Sequence, residues 1–434
     1  MEDKPSIFNK IYNLFNLGQI RLYNLAIINT QEKRNNKKLK SLNKKYMNRE
    51  RIRIVYFVED SSIWKLDGVY NLFDNDANFE QLILVTPTNV FGKEYMVEEL
   101  DKTYTFFKSK GYHTLKSYNK ETDSYIDITK ELDPDLIFHA RPYKNGMDPR
   151  FYIDNFLDKL NLFVNYGYDI DNSSRSIYRS LTTNASWAVF LESDIQMDIY
   201  TNQSFIKGKN GVVTGYPGVD QVKYKARMDN ASWKIEDPTL KRIIWAPHHT
   251  INKEDLLGYS NFLKYSNLML EIVDKYKEKI QFSFKPHPSL KQKLYAHKDW
   301  GTEKTDKYYE KWENLENTQV DTGPYIDLFN SSDALIHDSS SFTAEYLHTG
   351  KPVLFTKKES VDDKLNIFGK KVLEQHYIAY EGQDIVDFID DVILNGNDNM
   401  AEQRDDFYRN TLNPNSSKAS NNIYNYILDK IIDN

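Results

Sequence analysis

Residues 330–355, NSSDALIHDSSSFTAEYLHTGKPVLF, decide the fold. Within them ALIH at 334–337 reads as a short apolar strand and 338–340 as a loop. Residues 341–348 read as a helix stopped by Gly350, and VLF at 353–355 as a second strand after Lys351-Pro352. Strand, polar loop, helix, strand is the repeating unit of a parallel α/β sheet. The polar loop carries the chemistry. Serines at a helix start can cap its unpaired N–H groups. The same N–H groups, with the helix dipole behind them, also suit a phosphate. Ser341 and Glu345 are four apart and share one helical face.

Capping alone would account for serines in that place, so their company matters. Residues 242–245 form a strand followed by Ala246-Pro247-His248-His249, and residues 280–284 one followed by Lys285-Pro286-His287-Pro288. In open α/β sheets ligands bind beyond the carboxyl ends of the strands. Three successive strand ends therefore offer histidines, a lysine and hydroxyls to one crevice, an inventory suited to phosphate.

The order WAPHH, FKPHP, then the 330–355 stretch resembles the CDP-glycerol glycerophosphotransferase family, the teichoic acid primases and polymerases and their capsule-making relatives. The matching positions are Ala246-Pro247, Lys285 to Pro288, Asp338 with Ser340, Ser341 and Glu345, and Thr349 to Pro352. The resemblance covers the C-terminal half. It implies an α/β fold of GT-B type: two Rossmann-like domains facing a cleft, the C-terminal one binding the nucleotide and the N-terminal one the acceptor. The implied boundaries are a basic helical leader at 1–50, an acceptor-side domain at 51–217 and a donor-binding domain at 218–434 that includes the C-terminal helices. Gly215-Tyr216-Pro217-Gly218 is the expected hinge.

The first half supports that reading by alternation. Residues 51–58 (RIRIVYFV), 82–85, 136–138, 161–164 and 212–214 read as strands, with helices expected at 64–73, 94–110, 151–160 and 184–199. In the second half a long helix is expected at 254–277, with Leu256, Leu257, Leu263, Leu268, Ile272 and Val273 on its apolar face. A polar, aromatic insertion surrounds Trp300 to Trp312. Two loops of the first half look chemical, His139-Ala140-Arg141-Pro142-Tyr143 and Asn165-Tyr166-Gly167-Tyr168-Asp169. Both follow strands and should face the crevice. In teichoic acid polymerases the second loop carries a His-Gly pair whose histidine is the favoured base; here Asn165 stands in its place.

Length and composition agree. At 434 residues two domains are natural, and 40% hydrophobic with 14% aromatic residues is ample for packed cores. The absence of cysteine excludes disulfides and thiolate metal sites. No metal is expected, since Asp60, Asp67 and Asp76 are scattered and cationic side chains can serve a diphosphate instead. No run reaches the length of a membrane span, and the N-terminus lacks a secretory signal, so a cytoplasmic protein is expected.

Net charge is −6, yet residues 1–50 hold eleven Lys and Arg against four Asp and Glu. Such a leader, with Ile7, Phe8, Ile11, Leu14, Phe15, Leu22 and Leu25 at helical spacing, suits either an anionic membrane's inner face or docking on the protein's own core, with Lys37, Lys38, Lys40, Lys44 and Lys45 in a solvated linker. Nucleic acid is excluded as a partner by the acidic remainder.

The expected chemistry is transfer of glycerol phosphate, or another polyol phosphate, from a CDP-activated donor to a hydroxyl of a teichoic-acid-like or capsular polymer. The nucleotide-activated donor is a substrate, and no cofactor is expected. The acceptor is a polyol phosphate or glycan, free or lipid-linked. Expected catalytic residues are His248, His249 and His287, with His248 favoured as base. Donor contacts are expected from Lys285, Asp338, Ser339, Ser340, Ser341 and Glu345. Acceptor contacts are expected from His139, Arg141, Tyr143, Asn165 and Gly167. A CMP- or UDP-sugar-dependent glycosyltransferase on the same scaffold is the alternative. A non-catalytic scaffold is a third, and has no need of all three C-terminal motifs.

Overall fold

The computed structural model describes residues 7–88, 92–172, 174–228, 232–252 and 258–433, with the backbone alone for 7–21 and 23. The chain divides into two units. Unit 1 holds the residues up to Gly167, Arg175–Gly218 and Ser417–Asn434; unit 2 holds Tyr168–Ser174 and Val219–Ser416.

Unit 1 is built on seven strands: β1 (Ile52–Val58), β2 (Phe79–Val85), β3 (Thr114–Lys116), β4 (Leu136–His139), β5 (Leu160–Val164), β6 (Ala188–Leu191) and β7 (Gly211–Val213). All pair in parallel, in the order β3-β2-β1-β4-β5-β6-β7. Unit 2 has six: β8 (Lys241–Ala246), β9 (Ile280–Phe284), β10 (Thr318–Val320), β11 (Ala334–His337), β12 (Val353–Thr356) and β13 (Tyr377–Ala379). Their order is β10-β9-β8-β11-β12-β13, again parallel. The central strands are apolar runs buried almost throughout, as a sheet covered on both faces requires. In each unit the order reverses once, between β1 and β4 and between β8 and β11. Those switch points are where doubly wound sheets open a crevice for ligands.

Four expectations are corrected. Residues 151–160 form no helix but two 3₁₀ turns, Pro149–Phe151 and Ile153–Asn155, because Asp148 caps the first and Phe151, Ile153 and Phe156 bury irregularly. The helix expected at 184–199 is interrupted by β6, whose run AVFL is buried on both faces beside β5; Ser193 then caps a new helix, Asp194–Gln203. The helix expected at 254–277 spans Phe262–Lys275. Leu256 and Leu257 lie outside the described residues, and Leu263 is exposed. The insertion near Trp300 is a helix, Gly301–Asn314, that buries Tyr308, Tyr309 and Trp312.

The two chain ends correct the expected domain limits. Helix α1 (Ile7–Met47) is not a separate leader, since its later turns bury Ile27, Ile28, Leu39 and Leu42 in unit 1. Nor is its lysine-rich part a solvated linker: Lys38 and Lys45 both bind the buried Asp135 at 2.8 Å. Burial alone would raise the Asp135 carboxyl, but those two lysines hold it below the ordinary range. The last helix, Ala419–Ile432, belongs to unit 1 rather than unit 2. Ile423, Ile427 and Ile431, spaced by four, bury one stripe in that core. Asn43 of α1 donates to the carbonyls of Ile431 and Ile432, satisfying groups that a helix end leaves open. Among the described residues no helix is long and apolar enough to cross a membrane.

Candidate functional site

At the switch point of unit 2 the strand ends meet. His248 and His249 follow β8 and His287 follows β9. Ring centroids lie 4.3 Å apart for His248–His249, 5.1 Å for His248–His287 and 4.2 Å for His249–His287. The loop after β11 holds this cluster in place. Asp338, fully buried, accepts the backbone N–H of His248 at 2.5 Å and that of Asn261 at 2.6 Å. It is therefore an organiser of the β8 and 258–262 loops. Burial pushes its carboxyl up to about 7 despite those two donors.

The hydrogen bonds fix where two imidazole protons sit. Thr250 Oγ1 accepts the N–H groups of Tyr259 and Ser260, so its own proton goes to His248 Nδ1 at 2.8 Å. His287 Nδ1 accepts the Ser289 N–H at 3.1 Å. A neutral imidazole with an accepting Nδ1 carries its proton on Nε2, so both rings present an N–H donor. Burial, then the neighbouring imidazoles, lower His248 to about 2; burial and His249 lower His287 to about 4. In this arrangement His248 presents a donor, and burial disfavours its protonation. The three histidines also place one nitrogen each within 4.8 Å of the others. With Nδ1 of two rings already accepting, their Nε2 atoms hold protons rather than lone pairs for a metal.

The serine loop supplies hydroxyls. Helix α2 here (Ser340–Glu345) is only six residues, continued by a 3₁₀ turn to Thr349 and closed by Gly350 at φ 69°. Ser339 makes no side-chain cap, and among the described residues the hydroxyls of Ser340 and Ser341 enter no hydrogen bond. Ser341 is exposed and Ser340 half-buried. Glu345 is buried and takes a hydrogen bond from Tyr325, so it braces the helix from below. Lys285 is likewise committed. Its ammonium is buried against Asp321 and the Gly323 carbonyl, both at 2.6 Å. His348 and His376 are buried, neutral and hydrogen-bonded within unit 2.

Unit 1 gathers a second polar row at its own strand ends. Glu59 follows β1, His139 ends β4 with Arg141 just beyond it, Asn165 follows β5 and Glu192 follows β6. Arg141 hydrogen-bonds Glu59. His139 is buried and directs Nε2–H to Asn161 Oδ1 at 2.9 Å, since the Asn161 amide is spent on two carbonyls. Burial lowers it to about 4. Asn165 accepts the Tyr166 N–H and gives its amide to Glu192. Tyr143 is half-buried beside Pro142, and Gly167 borders open space. Glu59 and Glu192 escaped the sequence reading. Their signal was an acid directly after a buried apolar strand, in FVED and FLES.

Comparison with known proteins gives the arrangement a lineage. No curated protein sequence matches the chain. Among solved structures the wall teichoic acid polymerase TagF is similar at 14% identity and a TM-score of 0.60, covering 97% of this chain and 98% of that one. A UDP-N-acetylglucosamine 2-epimerase described for Listeria monocytogenes is similar at 16% identity and 0.51, covering 86% and 94%. That of Methanocaldococcus jannaschii is similar at 14% and 0.52, covering 87% and 99%. At these identities the likeness is one of fold, two Rossmann-like units of GT-B type. The family model for CDP-glycerol:poly(glycerophosphate) glycerophosphotransferase matches residues 163–429, more than half the chain and all of the unit 2 motifs. The chain belongs to the CDP-glycerol:poly(glycerophosphate) glycerophosphotransferase family, and is a transferase of glycerol phosphate from a CDP-activated donor to a cell-surface polymer.

Proposed function

We propose that unit 2 holds the donor diphosphate through the imidazole N–H groups of His248 and His287, with His249 beside them and the hydroxyls of Ser340 and Ser341 completing the cradle. The observation that carries this is the pair of accepting Nδ1 atoms, which turns two neutral rings into fixed donors at one switch point. Preorganised donors aimed at developing charge supply much of the acceleration in group transfer. Phosphoryl-type transfer depends chiefly on such positioning. As the acceptor hydroxyl attacks the glycerol-bearing phosphorus, these donors take up the charge that collects on departing CMP. Asp338 and Glu345 act through the loops they hold. The acceptor side is proposed for unit 1, at Arg141, Tyr143, Asn165 and Gly167. Equilibrium binding of CDP-glycerol to wild type and to His287→Ala tests the cradle: affinity should fall at least tenfold in the variant, and unchanged affinity would refute it.

The N-terminal segment is proposed to touch anionic lipid with the part of α1 before Leu22, whose sequence sets Lys10 and Arg21 among apolar residues, because Leu22 is itself 69% exposed while the later turns, with most of the lysines, are docked. Liposome co-sedimentation should weaken with salt, and equal binding after deletion of residues 1–21 would refute it.

A further inference from the structure

Three strips run along α1 between Asn24 and Met47. Ile28, Gln31, Asn35, Leu39 and Leu42, spaced by three and four, are buried in unit 1. Gln31 donates to Asn35 and to the Leu157 carbonyl there. Lys38 and Lys45 flank that face and are spent on Asp135. Lys33, Lys37, Lys40 and Lys44 are exposed and lie four, three and four apart. At about 100° per residue they fall within about 60° of one another, on the side opposite the buried strip. Among the described residues none of the four enters an ion pair or a side-chain hydrogen bond. The one acid of these turns, Glu32, is over a quarter turn away from Lys33. Like charges three and four apart work against a helix, so the docking of α1 gives no reason for this row.

We infer that this row is a docking ladder for the polyol phosphate chain of the acceptor. The inference rests on the transferase reading above for the identity of the partner. Successive rungs rise by about 4.5 to 6 Å, and the row spans about 16 Å. A glycerol phosphate repeat carries one negative charge and has as many backbone bonds as two amino-acid residues. It therefore reaches about 7 Å at full stretch and less when kinked, so successive phosphates can meet successive lysines. The exposed neighbours of the row are Arg34, Asn36 and Ser41, which offer a bilayer nothing apolar to bury. A water-soluble polyanion suits them better. Asp135 stands just before β4, so its two lysines set the end of α1 beside the amino ends of the strands. The acceptor residues proposed for unit 1 lie at the carboxyl ends. The ladder thus grips chain already made and leaves the reacting hydroxyl to those residues. A chain held this way returns to the site at a raised effective concentration. The row acts locally, because at physiological salt the field of the acidic remainder is screened beyond about 8 Å.

The test is equilibrium binding of labelled poly(glycerol phosphate) to the full-length protein, with chains shorter than the row and chains long enough to cover it. Wild type should bind the long chain at least about tenfold more tightly than the short one, and salt should shrink that advantage. Lys33→Gln, Lys37→Gln, Lys40→Gln and Lys44→Gln together should remove it, with melting, CDP-glycerol affinity and kcat on the short acceptor unchanged. Lys108→Gln, Lys120→Gln, Lys207→Gln and Lys209→Gln together remove as many exposed lysines elsewhere in unit 1 and should leave the advantage intact. Equal long-chain affinity in wild type and ladder variant overturns the proposal, as does an equal loss in the scattered variant. A wild type without a length preference overturns it with no variant at all. So does a ladder variant that keeps the long chain but no longer binds phosphatidylglycerol vesicles, since the row is then a lipid contact. Each of these results leaves CMP release on the short acceptor untouched. Absence of that release in wild type overturns the transferase reading, and the ladder's partner with it.

Discussion

The carboxylate of Asp338 accepts the backbone N–H of His248 at 2.5 Å, joining the loop after β11 to the loop after β8 across the switch point of unit 2. One buried side chain thereby aligns two of the three sequence motifs. Asp338→Asn retains one acceptor but turns an amide N–H toward a backbone N–H. A buried donor left unmatched costs about 1–3 kcal/mol. Urea titration should show that loss, with kcat falling about tenfold as the His248 ring shifts. A variant as stable and as active as wild type would mean the contact does not organise the site.

Loss of the His287 imidazole should act on rate rather than on the fold, because the ring is only half-buried. Removing one preorganised donor typically costs about 100-fold in kcat. His287→Ala and the pair Ser340→Ala with Ser341→Ala should each show this at nearly unchanged melting temperature. Chelators should leave wild-type turnover intact, since the rings face the site with N–H; a chelator-sensitive enzyme restored by zinc would reverse the tautomers inferred for them.

Lys285 should behave in the opposite way. It sits in the most motif-like turn of the chain, yet its ammonium is buried against Asp321. Breaking one side of a buried pair costs about 3 kcal/mol or more. Lys285→Met should therefore lower stability in urea, while the KM for donor in the folded fraction stays within about twofold of wild type. A large KM effect at unchanged stability would return the lysine to the donor site.

Stability should fall in acid. Burial depresses His139, His248, His287, His337, His348 and His376 below their ordinary value. Unfolded histidines take up protons near 6.5 while the native ones stay neutral, so their contribution is present above that value and lost as pH falls toward about 4 to 2. Glu59, Glu192 and Asp338, raised to about 7, oppose this: their contribution is full below about 4.5 and lost as pH rises through about 7. The histidines are the more numerous, so urea midpoints should decline from pH 6.5 and more steeply below about 4.5, where the acids no longer compensate. A midpoint that holds constant or rises to pH 4 would contradict the buried neutral histidines.

What sequence conveyed followed physical locality. The strands at 52–58, 280–284 and 334–337 are short, mainly apolar runs that fold as buried strands, and such runs have few alternatives in a doubly wound sheet. The polar sets after them were legible because a strand end is a topological position. The strand Ala188–Leu191 was hidden because a four-residue buried run between serines has no period of its own and reads as part of a helix. The return of Ala419–Ile432 to unit 1 was illegible for another reason: its isoleucine stripe says that it docks, not on what. Lys285 and Asp338 show the same limit at the level of a side chain. Their partners, Asp321 and the N–H groups of His248 and Asn261, are far away in sequence or belong to backbone, and residue type alone cannot separate a ligand contact from an internal one.

The most direct measurement is nucleotide release. Purified full-length protein is incubated with CDP-glycerol, CDP-ribitol, CMP-sugars and UDP-sugars in turn, each with a polyol-phosphate acceptor, and the freed nucleotide is quantified. CMP should appear from CDP-glycerol or CDP-ribitol, in an amount equal to the glycerol or ribitol phosphate gained by the acceptor, and should fall about 100-fold with His287→Ala. Release of UDP or CMP from a sugar donor alone, with none from either CDP-polyol, would contradict polyol-phosphate transfer and make the protein a glycosyltransferase.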